Sequence, residues 1–491
     1  MNKIKTYLAA GGCLLAMALT TACEDRLSAL PSQSKVDDNL IVDQKSAEYA
    51  LNGIYYMYAQ CGTDYYDVLS TGCTLSQEIY PANFAGTVTY YQGAYMLENH
   101  DWAADNYTVL NLWQAFYSQL AAANGVLHQM DAAPDDWFSG NRKTEIIAEA
   151  RFMRALIHYN LLRWFAYHWD YSSPYGVLLR TEPVLASTIS KDRSTVAESY
   201  QCIMDDLDFA IDNMVEENPN HYANTWVAKG LKARVLMMRG QGTDYADAAE
   251  LTRDIINNGP YELEENVLDI FYEKGLDSPE VMFGIQPKDG QTDVYETYYY
   301  RSNPQYEPSA KLDSIFGLIP GDPRREALFT EVLYSYSTPE NPVYYTLICK
   351  HMPKDNLASG TVEESQYQMR LTEMYLLRAE ALVRSGGDRD EAKNLLKTVL
   401  SHAGVTDFTR VDNAATDDAL LTEIFYEMLR NLFCESGREL EIMMRMPKEA
   451  VSDFNPVYSS ANEQYCVFPI PADEFNNNAL LKEQNPGYSK D

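Results

Sequence analysis

The chain carries little positive charge for its length. Its 491 residues include 39 Lys and Arg but 71 Asp and Glu, which gives a formal net charge of −32 at pH 7. Proteins that bind nucleic acids depend on Lys and Arg to neutralise phosphates, and an acidic surface repels that polyanion. The composition therefore excludes nucleic acids as a ligand class.

Motifs of catalysis and metal binding are missing as well. The sequence contains no GxSxG, no HExxH, no P-loop and no EF-hand spacing, and its cysteines form neither a CxxC pair nor a zinc-spaced cluster with histidine. The seven histidines are scattered, and His158 and His168 lie on or beside an aromatic-rich segment that favours a core position. We expect no catalytic residue, no cofactor and no bound metal. A surface hydrolase stays open as an alternative, because catalytic carboxylates are recognised by their separation in space.

A long hydrophobic run occurs at the N-terminus. Two lysines precede the apolar stretch Tyr7–Leu19, and small residues then lead to Cys23. This order is typical of a bacterial lipoprotein signal peptide over residues 1–22, after which the thiol of Cys23 carries a lipid. No later stretch approaches the ~18 to 20 apolar residues of a membrane span. We therefore expect one domain over residues 23–491, attached by lipid alone; a buried cysteine behind an ordinary signal peptide is the alternative.

Two further cysteines, Cys61 and Cys73, bracket a segment that contains tyrosines. Outside the cytoplasm a disulfide between them would stiffen this segment. The alternative is a pair of separate, small, buried side chains. Both interpretations are compatible with the spacing.

Most of the remaining chain has the apolar periodicity of helices. In segment 144–167, residues such as Ile146 and Met153 recur every three or four positions, which predicts one long amphipathic helix. A second helix follows, with Ser194 or Thr195 as its N-cap. The fold class that we predict is mainly α, a tetratricopeptide-like scaffold of helix pairs with long irregular loops and minor β-hairpins. The helix pairs are expected near residues 144–215, 224–259 and 371–403.

Tyrosine is more than twice as frequent as phenylalanine, with 37 residues against 16. Many of the tyrosines fall in two long segments of little periodicity, Gln60–Asp101 and Gln286–Tyr345. A hydrophobic core has no use for the hydroxyl, so the excess predicts aromatic faces that stay in contact with water. Long irregular segments in compact proteins are usually functional. These two segments are therefore the first places to look for a binding site.

Five segments with distinctive motifs follow one another along the chain: SAEYALNGIYYMY, IIAEARFMRALIHYNLLRWFAYHW, RLTEMYLLRAEAL, EIFYEMLRNLFCESGRELEIMMR and FPIPADEFNNNALLKEQNPGY. In their order and composition they resemble the RagB/SusD family of surface lipoproteins. A departure is Met446, where the family commonly has Trp.

The resemblance implies a non-catalytic binding protein at the cell surface. Members of the family cover a SusC-like TonB-dependent outer-membrane transporter and help to capture oligosaccharides or polysaccharides, or in some members peptides. Glu24 and Asp25 resemble the acidic signal that directs Bacteroidetes lipoproteins to the outer face of the outer membrane. We therefore expect a SusC-like transporter partner, a glycan ligand and a lipid-anchored location on the cell surface. Peptide uptake is the first alternative and a surface glycoside hydrolase the second.

The resemblance also places ligand contacts in the two irregular segments. By position, the residues expected to contact the ligand are Tyr65, Tyr66, Tyr90, Tyr91, Tyr295, Tyr298 and Tyr299. Neighbours such as Tyr90 and Tyr91 would not both face one ligand on an extended backbone, because successive side chains alternate sides. The alternative at each position is a tyrosine packed against the body with its hydroxyl in water.

The family's other motif residues are expected to be scaffold. We interpret Glu435 and Arg438 as helix-terminal ion-pair partners. The segment Gln484–Tyr488 is expected to form a turn that docks on the body.

Overall fold

A computed structural model of the chain describes residues 40–60, 75–91, 96–286, 304–334, 337–351 and 365–491. Cys23, with the signal segment before it, and the pair Cys61 and Cys73 lie outside the described residues, so what we expect of them stays a prediction. The described chain is mainly helical with small antiparallel sheets, which confirms the predicted fold class. Among the helices it contains, none is both long enough and apolar enough to cross a membrane.

The helices are numbered in chain order. Those before residue 260 are α1 (Gln44–Ala59), α2 (Tyr80–Ala85), α3 (Met96–Asn99), α4 (Tyr107–Ala132), α5 (Arg142–Phe165), α6 (Val196–Asn213), α7 (Thr225–Arg239) and α8 (Asp244–Asn258). Those after it are α9 (Val267–Asp269), α10 (Ala310–Gly317), α11 (Pro323–Leu328), α12 (Leu371–Ser385), α13 (Arg389–His402), α14 (Thr409–Asn413), α15 (Asp417–Leu432), α16 (Arg438–Arg445), α17 (Lys448–Phe454) and α18 (Ala472–Asn477). The strands are β1 (Val88–Tyr90), β2 (Val281–Ile285), β3 (Tyr306–Pro308), β4 (Phe329–Leu333), β5 (Tyr344–Ile348) and β6 (Gln366–Arg370).

Helix α5 is surrounded by other helices, since α1, α4, α6 and α16 pack against it. All its residues from Phe152 to Phe165 are buried, so the prediction of an amphipathic helix is wrong for this half. Among its buried polar side chains, one forms a close ion pair and another is uncharged. Arg154 donates from Nε and Nη2 to the carboxylate of Asp206, both at 2.7 Å. Burial lowers the pKa of His158 and of His168 to about 3, so both are neutral core residues, as predicted.

The helices lie in successive packed pairs: α5 with α6, α7 with α8, and α12 with α13. Thr195 is the N-cap of α6 and forms a capping box with Glu198. Gly240 and Gly386 end α7 and α12 in the left-handed conformation, with φ of 58° and 70°, which a residue without Cβ adopts at little cost. The sharp turns that follow bring each pair's second helix back onto the first.

The three small sheets are antiparallel strand pairs, β1 with β3, β2 with β6, and β4 with β5. Strands β4 and β5 form a hairpin in which Phe329 lies opposite Ile348 and Leu333 opposite Tyr344. The base of this hairpin is anchored in the core, because the Phe329 ring lies 5.2 Å from that of Phe316 and 6.0 Å from that of Phe433. The hairpin also packs against β3. Strands β1, β3, β4 and β5 therefore lie together.

Glu435 and Arg438 both form ion pairs, but with different partners. Glu435 pairs with Arg370 at 2.8 Å and with Lys350 at 2.6 Å. Arg438 pairs with Glu441 at 2.7 Å, one turn further along α16. Both groups are buried, so their charges are compensated inside the protein and not at a solvated helix end.

The segment Gln484–Tyr488 docks on the body, as predicted. The side-chain amide of Asn485 donates to the backbone oxygens of Phe165, at 3.0 Å, and Phe468, at 2.8 Å. The hydroxyl of Tyr488 donates to the oxygen of Val467 at 2.8 Å. The C-terminal turn thus donates hydrogen bonds to the last carbonyl of α5 and to the carbonyls of Val467 and Phe468.

Candidate functional site

Strands β1 and β3 bring together two tyrosines from the two irregular segments. In their register Tyr90 lies opposite Tyr306, and Thr89 opposite Glu307. The rings of Tyr90 and Tyr306 lie 5.4 Å apart at 58° to one another. This separation is within the range of a favourable aromatic pair. Residues more than two hundred positions apart in the chain thus form one aromatic contact.

Tyr91 extends this contact. Its ring lies 5.0 Å from that of Tyr90 with an interplanar angle of 65°. The expectation that the two neighbours do not face one ligand applies to an extended backbone. Here β1 ends at Tyr90, and Tyr91 already belongs to a turn, although its N–H still donates to the oxygen of Gln305 at 3.0 Å. Strict alternation of side chains applies only to extended backbone.

The hairpin β4–β5 supplies two more rings. Tyr345 lies 6.3 Å from Tyr91 in an edge-to-face arrangement, and Tyr334 lies 5.2 Å from Tyr345. The N–H of Tyr334 donates to the oxygen of Val343 at 2.8 Å, which extends the ladder one residue pair beyond β4. Because Tyr345 is two residues from Val343, it is a diagonal neighbour of Tyr334 on one face of the hairpin.

These contacts form a continuous series of rings, which we call the tyrosine cluster. Its members are Tyr306, Tyr90, Tyr91, Tyr345 and Tyr334. Tyr306 is buried at the base of the series and the other four are half-buried. Each of these four rings therefore keeps part of its surface accessible to a ligand.

A carboxylate lies beside the tyrosine cluster. Oε2 of Glu307, on β3, accepts a hydrogen bond from the backbone N–H of Thr346, on β5, at 2.5 Å. Burial raises the pKa of Glu307 above its usual value, and the hydrogen bond from Thr346 partly opposes this shift. Burial also raises the pKa of Tyr345, with further contributions from Tyr334 and Glu307. Tyr345 is therefore a neutral phenol at physiological pH, able to donate and accept hydrogen bonds.

Two of the seven predicted tyrosines lie among the described residues, and their contact with a ligand stays a prediction. Tyr90 and Tyr91 lie in the tyrosine cluster, whereas the other five predicted residues are outside the described residues: Tyr65, Tyr66, Tyr295, Tyr298 and Tyr299. Sequence reasoning missed Tyr334, Tyr345 and Glu307 as site residues. Short β-rich runs on either side of a Pro-containing turn, around residues 329–348, were the signal that could have indicated a hairpin there.

Other features of the described chain offer less to a ligand. A groove of about 510 Å³ between α6, α7 and α8 contains three cations, Lys232, Arg239 and Arg253. Each of these already pairs with a carboxylate of the protein. Among the described residues, no group of three or more His, Cys, Asp or Glu side chains is arranged to hold a metal ion. The tyrosine cluster is therefore the better candidate for ligand binding.

Two family models match different parts of the chain. Residues 36–237 match a model described as starch-binding and associating with the outer membrane. Residues 325–488 match the model of the SusD family. Together the two matches cover well over half of the chain.

Individual relatives carry the same family name. A SusD-like protein of Bacteroides ovatus is 27% identical over 278 residues, which are 55% of this chain and 47% of that protein. SusD-like protein P2 of Formosa agariphila is 24% identical over 442 residues, which are 80% of this chain and 83% of that protein. The match spans about half the length of the Bacteroides ovatus protein and of a second Formosa agariphila relative, P25.

Solved structures share the fold. A SusD superfamily protein from Bacteroides thetaiotaomicron superposes with a TM-score of 0.73 at 22% identity, over 91% of this chain and 100% of that one. A SusD-like carbohydrate binding protein from Bacteroides vulgatus superposes with a TM-score of 0.67 at 18% identity, over 82% of this chain and 84% of that one. At identities this low, the solved structures show a shared fold. The two family matches show that the chain belongs to the SusD/RagB family.

Proposed function

We propose that the protein binds oligosaccharides or polysaccharides without catalysis and holds them on the tyrosine cluster. The observation that carries this proposal is the series of four half-buried tyrosine rings, each in contact with the next. Sugar rings have apolar C–H faces that pack on aromatic faces, while their hydroxyls need hydrogen-bond partners. Phenol hydroxyls and the neighbouring carboxylate of Glu307 provide such partners. The family description, starch-binding, and the name of the Bacteroides vulgatus neighbour support a carbohydrate ligand.

The tyrosine cluster favours a glycan over a peptide. A peptide that binds as an added strand needs a free backbone edge with regularly spaced pockets for side chains. The exposed parts of this site are aromatic rings, and they suit the repeating ring faces of a sugar chain.

The proposal extends to the place of the protein in the cell. Lipid attached to Cys23 would hold it at the outer membrane, on the cell surface, in keeping with the description of the family model that matches residues 36–237. Captured glycan would then pass to a SusC-like TonB-dependent transporter, since no described helix is suited to spanning the membrane.

Tyr91→Ala and Tyr345→Ala are each expected to weaken glycan binding by about 1 to 3 kcal/mol, by analogy with bases stacked on aromatic side chains. Isothermal titration with the best ligand from a panel of neutral and acidic oligosaccharides measures the loss. Tyr49→Ala is the matched control, because Tyr49 is exposed on α1 and outside the tyrosine cluster. Unchanged affinity in both cluster variants, with circular dichroism intact, would contradict the site. The same titration applied to alanine variants of the five predicted tyrosines outside the described residues tests the rest of the set.

A transporter partner is expected to co-purify with the protein. Affinity pull-down of the tagged lipoprotein from detergent-solubilised outer membranes, in cells grown on a glycan that it binds, should recover one large β-barrel protein. The untagged strain is the control for unspecific capture. If cells that express the tagged protein yield no such barrel, delivery to a transporter is the wrong account.

A further inference from the structure

Glu307 connects the two halves of the tyrosine cluster. It lies on β3, next to Tyr306 and opposite Thr89 of β1. Its side chain reaches β5, where Oε2 accepts the N–H of Thr346, the residue after Tyr345. The carboxylate therefore bridges β3 and the hairpin, close to Tyr345, whose pKa it helps to raise.

Among the residues that the structure describes, no cation compensates the charge of Glu307. Its carboxylate forms no ion pair with any cation of the described chain, and its Oε1 has no hydrogen-bond partner there. Other carboxylates in the fold differ in this respect: Glu427 pairs with Arg324 and Arg430, and Glu435 with Arg370. A half-buried carboxylate without an ion-pair partner lowers the stability of the fold. Its presence here therefore points to a role in binding.

We propose that Glu307 determines the specificity of this site, by accepting a hydroxyl of a neutral sugar at Oε1 and by repelling uronate and sulfate groups. The inference rests on the proposed function of the tyrosine cluster. Hydroxyls of neutral sugars donate to carboxylates in charge-assisted hydrogen bonds, which are stronger than bonds between neutral groups. An anionic sugar at the same position would instead bring two like charges together in a partly desolvated place, where water screens them poorly. The ligand class assigned to the site is thus uncharged glycans.

Titration of the full-length mature body with neutral and anionic probes tests this assignment. The neutral probes are maltohexaose, cellohexaose, xylohexaose and mannohexaose, and the anionic probes are hexagalacturonate and hexamannuronate. We expect the wild type to bind at least one neutral probe about tenfold or more tightly than either anionic probe, a ratio equivalent to about 1.4 kcal/mol. The ratio of neutral to anionic affinity should decrease as NaCl is raised from about 20 mM to about 500 mM, because salt screens the repulsion between Glu307 and the anionic probe.

Glu307→Gln keeps the size of the side chain and an oxygen for the N–H of Thr346, but removes the charge. It should narrow the neutral-to-anionic ratio to about threefold or less, through weaker neutral binding and stronger anionic binding. Glu216→Gln, an exposed glutamate between α6 and α7, makes the same change of net charge away from the site and should leave the ratio unchanged.

The outcomes separate this inference from the proposed function. An anionic probe that binds the wild type as tightly as the best neutral one overturns the role of Glu307, and so does an unchanged ratio in Glu307→Gln. If Tyr345→Ala still weakens binding in those cases, glycan binding at the tyrosine cluster stands. Absence of binding by either class of probe to the wild type overturns both proposals.

Discussion

Replacing Glu435 by alanine is expected to destabilise the protein by about 3 to 5 kcal/mol, the usual cost of removing one partner from a buried ion pair. The Glu435 carboxylate accepts from Nε and Nη2 of Arg370, at 2.8 and 2.9 Å, and it pairs with Nζ of Lys350 at 2.6 Å. The side chains of all three residues are at most 4% exposed. Although burial opposes it, the two cations hold the pKa of Glu435 below its usual range. The variant would therefore leave Arg370 and Lys350 buried, with Glu280 beside Arg370 as the one remaining carboxylate partner among the described residues.

The free energy of unfolding in urea, followed by circular dichroism, measures this loss. A matched control is Asp313→Ala, which breaks the surface pair with Arg325 at 2.7 Å, where the two side chains are 43% and 52% exposed. Exposed pairs contribute at most about 1 kcal/mol, so this variant should stay close to the wild type. Equal losses in the two variants would show that the buried cluster carries no special weight in stability.

Phe468→Ala is expected to lower the free energy of unfolding by about 3 to 5 kcal/mol, because it leaves a cavity in a packed aromatic group. The Phe468 ring lies 4.6 Å from that of Trp102, 4.8 Å from that of Trp164 and 5.8 Å from that of Phe165. The residue is fully buried, and its N–H donates to the oxygen of Trp164 at 2.7 Å. Truncation thus removes the contacts that hold the C-terminal segment to the end of α5.

Two measurements distinguish this explanation from a general loss of stability. Phe468→Leu retains most of the apolar volume and should cost clearly less in the same urea titration. Hydrogen exchange of the segment Gln484–Tyr488 should accelerate more than that of α7, since Asn485 donates to the oxygen of Phe468. Uniform acceleration across the chain would argue against a specific role in docking the C-terminus.

Features determined by residues close together in the chain could be predicted from the sequence. The N-cap of α6 is one example, because Thr195 and Glu198 form their capping box within a single turn. The glycines that end α7 and α12 are another example, since a helix that stops in the left-handed conformation favours glycine at that one position. The fold class followed from such local signals, and the family from motifs that occur in order along the chain.

Burial around α5 could not be predicted in the same way. Its periodicity indicates one apolar face, yet every residue from Phe152 to Phe165 is buried, and α1, α4, α6 and α16 all pack against the helix. Which helices surround another is decided by packing between distant segments, and a window of neighbouring residues contains no information about it. The ion pairs of Glu435 could not be predicted either, because its partners Arg370 and Lys350 are 65 or more positions away in the chain.

The sequence by itself determined that the chain is an acidic, mainly helical protein of the SusD/RagB family with an excess of tyrosines in two irregular segments. Only the tertiary structure decided which of the described tyrosines come together, and that Glu307 lies beside Tyr345 with no ion-pair partner in the described part of the chain. The reason is that Tyr90 meets Tyr306 through pairing of strands separated by more than two hundred residues, and Tyr91 meets Tyr345 through a hairpin packed against β3. Such pairing depends on where the helical scaffold holds the strands, a property of the whole fold that no local segment encodes.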